Sequence, residues 1–258
     1  MNSKRIWVAF LTITRKECAR FLRIWTQTLL PSVMTSVLYF LIFGAFIGAR
    51  IGLIDGKFTY IQFIVPGLVM MAVITNSFSN VVSSFFGAKF MKNIEELLVS
   101  PTPNWVIISG YVAGGVLRGL LVGALVLLVS LFFTHLAIYS IPLILLFILL
   151  TAILFSLAGF FNALYAKSFD DVAIIPTFVL TPLTYLGGVF YSVSSLPHLW
   201  QVVSGFNPIL YMVNGFRYGF LGTSDVDVFF SFAVTIGCII VLLIADWRLL
   251  QKGTGLKN

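Results

Sequence analysis

The run from Ile141 to Tyr165, IPLILLFILLTAILFSLAGFFNALY, holds no charged residue and is longer than the ~18 to 20 apolar residues that a helix needs to cross a hydrocarbon core. Several runs of this kind recur along the chain. Hydrocarbon offers no hydrogen-bond partner, so each run must satisfy its own backbone and is expected to be helical. With 59% hydrophobic residues, 10% charged residues and a mean hydropathy of +1.04 over 258 residues, no stretch is polar enough for a separate soluble domain. The expected architecture is one all-α membrane domain covering residues 1–258.

The net charge of +7 does not point to nucleic acid, because the basic residues cluster at the ends of apolar runs, where they meet lipid headgroups. Cys18 lies in a basic segment and Cys238 inside the last apolar run, so a disulfide between them is not expected. The N-terminus lacks the short apolar core and small-residue cleavage site of a secretory signal, and the first span is expected to stay as an uncleaved anchor.

Residues 4–25 repeat Trp7, Phe10, Leu11, Thr14, Cys18, Phe21, Leu22 and Trp25 on one helical face, with Arg5, Arg15, Lys16, Arg20 and Arg23 elsewhere on the wheel. That pattern suits an interfacial helix on an anionic leaflet. Spans are expected at roughly 28–49, 60–86, 105–134, 141–165, 172–191 and 228–247, six in all. The second carries a polar band, Thr75, Asn76, Ser77, Ser79 and Asn80, which either lines a path or bonds neighbouring helices. In the third, Gly115, Gly119 and Gly123 form a ladder that permits close helix contact. Arg118 lies among them, about 20 Å along the helix from Trp105, too deep to reach water without effort. It either faces a path with Asn76 and Asn80 or serves as a hydrogen-bond hub.

Lys and Arg set an expected orientation. The N-terminal segment has six, the second loop two, the fourth one and the tail three, against three on the opposite side, with Arg118 inside the membrane. Both termini are therefore expected in the cytoplasm. On that side lies AKFMKNIEELLVSPTP, the only strongly amphipathic stretch between two spans, with Phe90, Met91, Ile94, Leu97 and Leu98 opposite Lys89, Lys92, Glu95 and Glu96. Such a helix, 88–101, lies on the membrane or docks its apolar side in a partner's groove.

On the other side, Pro182, Gly187-Gly188, Pro197 and Pro208 interrupt an apolar stretch every ~10 residues, about half the length of a spanning helix. Half-length helices are expected there. They are tolerated at membrane depth only where protein or water satisfies the freed backbone groups.

Two of these segments carry a resemblance to a known family, the permeases of ABC-2-type transporters, and the likeness covers essentially the whole chain. In the family an acidic residue leads into paired leucines and a proline, which Glu95, Leu97, Leu98 and Pro101 match. The resemblance implies that 88–101 is the coupling helix, with Phe90, Ile94, Glu95, Glu96, Leu97, Leu98 and Pro101 contacting an ATPase subunit. One departure is Lys92-Asn93, where many relatives have a Gly-Thr-like entry. The family's second motif, Gly-x-Phe, Leu-Pro, Asn-Pro and a downstream Arg, is similar to Gly188, Phe190, Leu196, Pro197, Asn207, Pro208 and Arg217. With Gly187 these are implied to build re-entrant helices over 192–222 that close the exit.

The resemblance implies a transport subunit, not an enzyme: a permease of an ATP-binding cassette exporter in a bacterial inner membrane. It would form the path as a dimer, with two copies of a cytoplasmic ATPase holding ATP and Mg, and with lipids but no nucleic acid as further partners. No GxxxxGK[ST] occurs in the chain, and this chain itself is expected to bind no cofactor or metal. The alternative class is an ion-coupled secondary transporter of amphipathic or lipid-like cargo, which needs acids within its spans; here Asp246 is the deepest. A membrane-embedded enzyme has less support, since His135 and His198 have no ligand-spaced companions.

Overall fold

A computed structural model describes residues 3–54, 57–253 and 255. The chain is a helical bundle whose only sheet, among the described residues, is a hairpin of β1 (Leu53–Ile54) and β2 (Phe58–Thr59) between the first two spans. Among the described residues, six stretches are long and apolar enough to cross a membrane: Trp25–Gly44, Tyr60–Phe90, Asn104–Ser130, Ile141–Tyr165, Phe169–Leu186 and Val228–Lys252. The chain is a multi-pass membrane protein with the six spans expected from its apolar runs.

Helix α1 (Ser3–Arg23) precedes the first span, which is assembled from α2 (Trp25–Thr28), α3 (Leu30–Tyr39), a π-helical stretch (Phe40–Ile47) and α4 (Gly48–Ile51). Pro31 falls in the first turn of α3, where its missing N–H costs nothing. Helix α5 (Tyr60–Phe90) opens with a reciprocal cap: Gln62 N–H donates to Thr59 Oγ1, and Thr59 N–H donates to Gln62 Oε1. The chain then runs through α6 (Asn93–Val99), α7 (Asn104–Ser130) and α8 (Ile141–Tyr165). The fifth span consists of α9 (Phe169–Ile175), a π-helical stretch beginning at Pro176, and α10 (Thr181–Leu186). Pro176 removes a backbone donor there, and the ladder widens locally. Two short helices, α11 (His198–Gly205) and α12 (Pro208–Leu221), lead to α13 (Val228–Lys252).

Helix α5 forms the centre, with Ile64, Val69, Ile74, Phe78, Val81 and Phe85 fully buried against α7 and α8. The glycine ladder explains how closely these three helices meet. A Cβ on Gly115 would come within 2.6 Å of Val81, one on Gly123 within 2.7 Å of Val73, and one on Gly119 would overlap Ser77 Oγ. Side chains at those positions would push the helices apart. By contrast, only 6% of the fifth span and 11% of the most apolar 18-residue stretch of α13 is buried in the chain, so both lie at the periphery.

Because the spans alternate in direction, α1 and α6 lie at one end of the bundle and α11 and α12 at the other. Helix α1 does not simply rest on that first end. Ile13 packs on Gly110 and Glu17 on Gly114, so α1 and α7 run side by side for at least a turn. Trp7, Val8, Leu22 and Trp25 point outward.

Candidate functional site

Three groups of residues stand out, one at each end of the bundle and one between them. At the first end, α5 continues through Phe90, so the stretch read as one amphipathic helix is divided. Lys92 breaks it with φ of 60°, the only positive φ at a non-glycine residue among those described. Left-handed backbone suits glycine best, which gives a physical reason for the Gly-Thr-like entry of the family's first motif. Beyond the break, Ile94 is buried and Leu97 and Leu98 are half-buried against the core, so the expected docking leucines hold α6 to the bundle. Glu95 and Glu96 lie in the first turn of α6 and are exposed, as are Val99 and Pro101. Phe90 ends α5, with its ring 5.0 Å from that of Phe169. Lys89 Nζ donates to the carbonyls of Leu164 (2.8 Å) and Ala166 (2.7 Å), tying the end of α5 to the end of α8. A cation at helical carbonyls is favoured there by the helix dipole.

Between the ends runs a polar seam. Arg118 is buried, and its Nη2 donates to Asn76 Oδ1 at 3.0 Å and to the Thr28 carbonyl at 3.2 Å. Asn76 Nδ2 in turn donates to Ser32 Oγ at 2.9 Å. Arg118 therefore joins α7, α5 and the first span, and the geometry is that of a hub.

One turn along α5, Asn80 accepts from Arg20 Nη2 through both its side-chain oxygen (2.9 Å) and its carbonyl (2.8 Å). Arg20 also pairs with Glu17 at 3.3 Å, and Glu17 Oε1 accepts from Ser84 Oγ at 2.7 Å. Glu17 has no exposed surface, although it sits on a helix rich in basic residues. The sequence reading missed it. Its signal was the Ile13, Glu17, Phe21 spacing, which puts it on the packed face of α1.

Beside this seam, a groove of about 190 Å³ between α3 and α5 is lined by Ser32, Thr35, Ser36, Tyr39, Thr75 and Asn76 among others. Asn76 reaches it; Arg118 and Asn80 are not in its lining.

At the second end the half-length helices take the expected form. Asn207 caps α12, accepting from Ile209 N–H at 3.0 Å and donating to the Leu183 carbonyl at 2.6 Å, with Pro208 in the first position. Pro197 stands just before α11, whose start has no side-chain cap, and Leu196 is half-buried. Gly187 ends α10, and Gly188, at φ of 73°, turns the chain back. Arg217, 2% exposed, donates through Nη2 to the Gly188 carbonyl, and its guanidinium lies 3.9 Å from the centre of the Phe63 ring. Phe190 is buried, its carbonyl accepts from Tyr60 Oη at 3.0 Å, and its ring stacks 5.6 Å from Tyr185. Two partners of this turn were not foreseen. Asp225 accepts from Ser192 Oγ and from Val193 N–H (3.0 Å), and Gly67 lets the Val189 backbone approach α5.

The comparisons with known proteins follow the same outline. The family described as ABC-2 type transporter matches residues 8–221, a stretch that takes in α1, α6, the seam and both half-helices. The chain belongs to the ABC-2 type transporter family. It is a membrane transport permease and not an enzyme. It is 58% identical over 252 residues to the inner membrane transport permease YadH of Escherichia coli K12, covering 98% of each chain, and equally so to that of Shigella flexneri. A more distant relative is nodulation protein J of Rhizobium leguminosarum bv. viciae, 23% identical over 248 residues and 94% of each chain. An ABC-2 permease works with an ATP-binding subunit.

Proposed function

We propose that the chain is the permease of an ATP-driven exporter of a bacterial inner membrane, with both termini in the cytoplasm. Two copies enclose the path, and each docks on a separate ATPase subunit that holds ATP and Mg. The observation that carries this reading is α6: a short helix pinned to the bundle by Ile94, Leu97 and Leu98 and by the Lys89 bonds behind it, while Glu95 and Glu96 stay outward. A lever must be held at its root and free at its tip. Closure of the ATPases would move α6, and with it the ends of α5 and α8, because ATP-bound and ATP-free partners bind the permease differently.

The hydroxyl-lined groove between α3 and α5 supports a path on that face, since hydroxyls at membrane depth are costly against lipid. Export is favoured by analogy with the family, and the inner membrane by the name of the 58% identical Escherichia coli permease. The decisive experiment co-purifies the tagged permease with its ATPase. E95K/E96K should abolish capture with the permease still folded; undiminished capture would remove α6 from the interface. ATP hydrolysis by the purified permease alone would overturn the division of labour.

A further inference from the structure

A larger cavity lies elsewhere, at the α11–α12 end between the first turns of α8 and α13 and the last turn of α12. It measures about 1000 Å³, the upper range of small-molecule sites. Its lining shares no residue with the groove between α3 and α5. Its accessible apolar lining is Leu143, Leu146 and Phe232. At the rim stand Asp225 and Asp227, and the rings of Tyr139 and Tyr218 meet edge to face at 5.4 Å on the wall.

Among the described residues, no ion pair closes on this rim: Asp225 lies near enough to the buried Arg217 guanidinium to act on it through space, whereas Asp227 has no cation in contact. Asp225 accepts only neutral donors, Ser192 Oγ and Val193 N–H, and Asp227 caps α13 by accepting from Phe230 N–H at 2.9 Å. Neither makes an ion pair among the described residues, and no Lys, Arg or His lines the cavity. Capping and loop stapling require an acceptor, not a charge, and Asn serves as well as Asp at an N-cap. Two carboxylates and two tyrosine rings above an apolar lining match an ammonium head carried on a hydrocarbon tail.

We propose that this cavity binds a cationic amphiphile, its ammonium group between Asp227, Asp225 and the tyrosine rings and its tail along Leu143, Leu146 and Phe232. The ammonium could belong to a phospholipid headgroup or to a free alkylammonium. The site is independent of the path and of the ATPase reading.

The test uses the full-length permease in phosphatidylglycerol nanodiscs with a diazirine-bearing dodecyltrimethylammonium, compared with its neutral isostere in which carbon replaces nitrogen. Crosslinks should fall within 143–147 and 229–232. The ammonium probe should label at about two- to fivefold lower concentration than the isostere, as expected for a partly exposed charge contact. D227N keeps the helix cap and should remove that preference with the melting temperature unchanged; Tyr139→Leu should weaken it. Replacing part of the phosphatidylglycerol with phosphatidylethanolamine should compete with the probe if the occupant is a lipid headgroup, and leave labelling unaltered if it is a free amphiphile. Equal labelling by the isostere, a full preference in D227N, or crosslinks confined to other helices would overturn the proposal.

Discussion

Glu17 and Ser84 are 67 residues apart in the chain, yet Ser84 Oγ donates to Glu17 Oε1 at 2.7 Å, joining α1 to α5. The same carboxylate pairs with Arg20, which holds Asn80. Glu17→Ala would leave Ser84 without its acceptor and Arg20 without its ion-pair partner, and should destabilise the fold by about 2–4 kcal/mol. Glu17→Gln keeps the bond to Ser84 and should cost about 1 kcal/mol. Unfolding in detergent, followed by tryptophan fluorescence, measures both, and equal effects would show that the charge lost in both variants, and not the bond to Ser84, carries the stability.

Burial, and secondarily the adjacent Glu17 carboxylate, push the Cys18 thiol above its ordinary pKa. A raised pKa means less thiolate at any given pH, so maleimide labelling of Cys18 should rise only at higher pH than for a free cysteine. Glu17→Gln removes the smaller cause, and the pH midpoint of labelling should move down without reaching the free value. An unmoved midpoint would separate Glu17 from the thiol.

Arg118 and Asn76 meet at 3.0 Å across α7 and α5. A double-mutant cycle with Arg118→Met and Asn76→Leu should yield a coupling of about 0.6–2 kcal/mol in unfolding, in the range of interhelical hydrogen bonds in membranes. Transport lost in either variant with stability unchanged and no coupling would favour a pathway role over the hub.

Gly119 and Gly237 are both helical glycines with opposite surroundings. A Cβ at Gly119 overlaps Ser77, while one at Gly237 meets nothing within 4 Å. Gly119→Leu should cost about 1–3 kcal/mol through overpacking, whereas Gly237→Ala should be neutral or stabilising by up to about 1 kcal/mol. Thermal melts of the two variants check the contrast.

Lys92 holds a left-handed backbone at φ of 60°. Lys92→Gly should relieve this and stabilise the turn by about 0.5–1 kcal/mol, less than the full left-handed penalty because glycine also loosens the unfolded chain. Lys92→Ile should act in the opposite direction.

Much of this architecture was legible because its physics is local. Apolar runs long enough to span, prolines that cannot continue a helix, and glycines at turns act on their own neighbourhoods, so the six spans and the interruptions at Gly188, Pro197 and Pro208 could be read directly. Periodicity misled where a single residue reset the backbone. Phe90 through Leu98 look like one stripe, but the turn at Lys92 puts Phe90 on α5 and turns Ile94 inward.

Hydropathy and helix breakers along the chain were enough to set the number of spans and the positions of their breaks, because a bilayer acts on each segment separately. Which polar group meets which was decided only in three dimensions. Glu17 finds Ser84, Arg118 finds Asn76 and the carbonyl of Thr28, and Arg217 finds the carbonyl of Gly188. A buried hydrogen bond depends on the approach and rotation of whole helices, and no spacing within one segment encodes the partner that another segment brings.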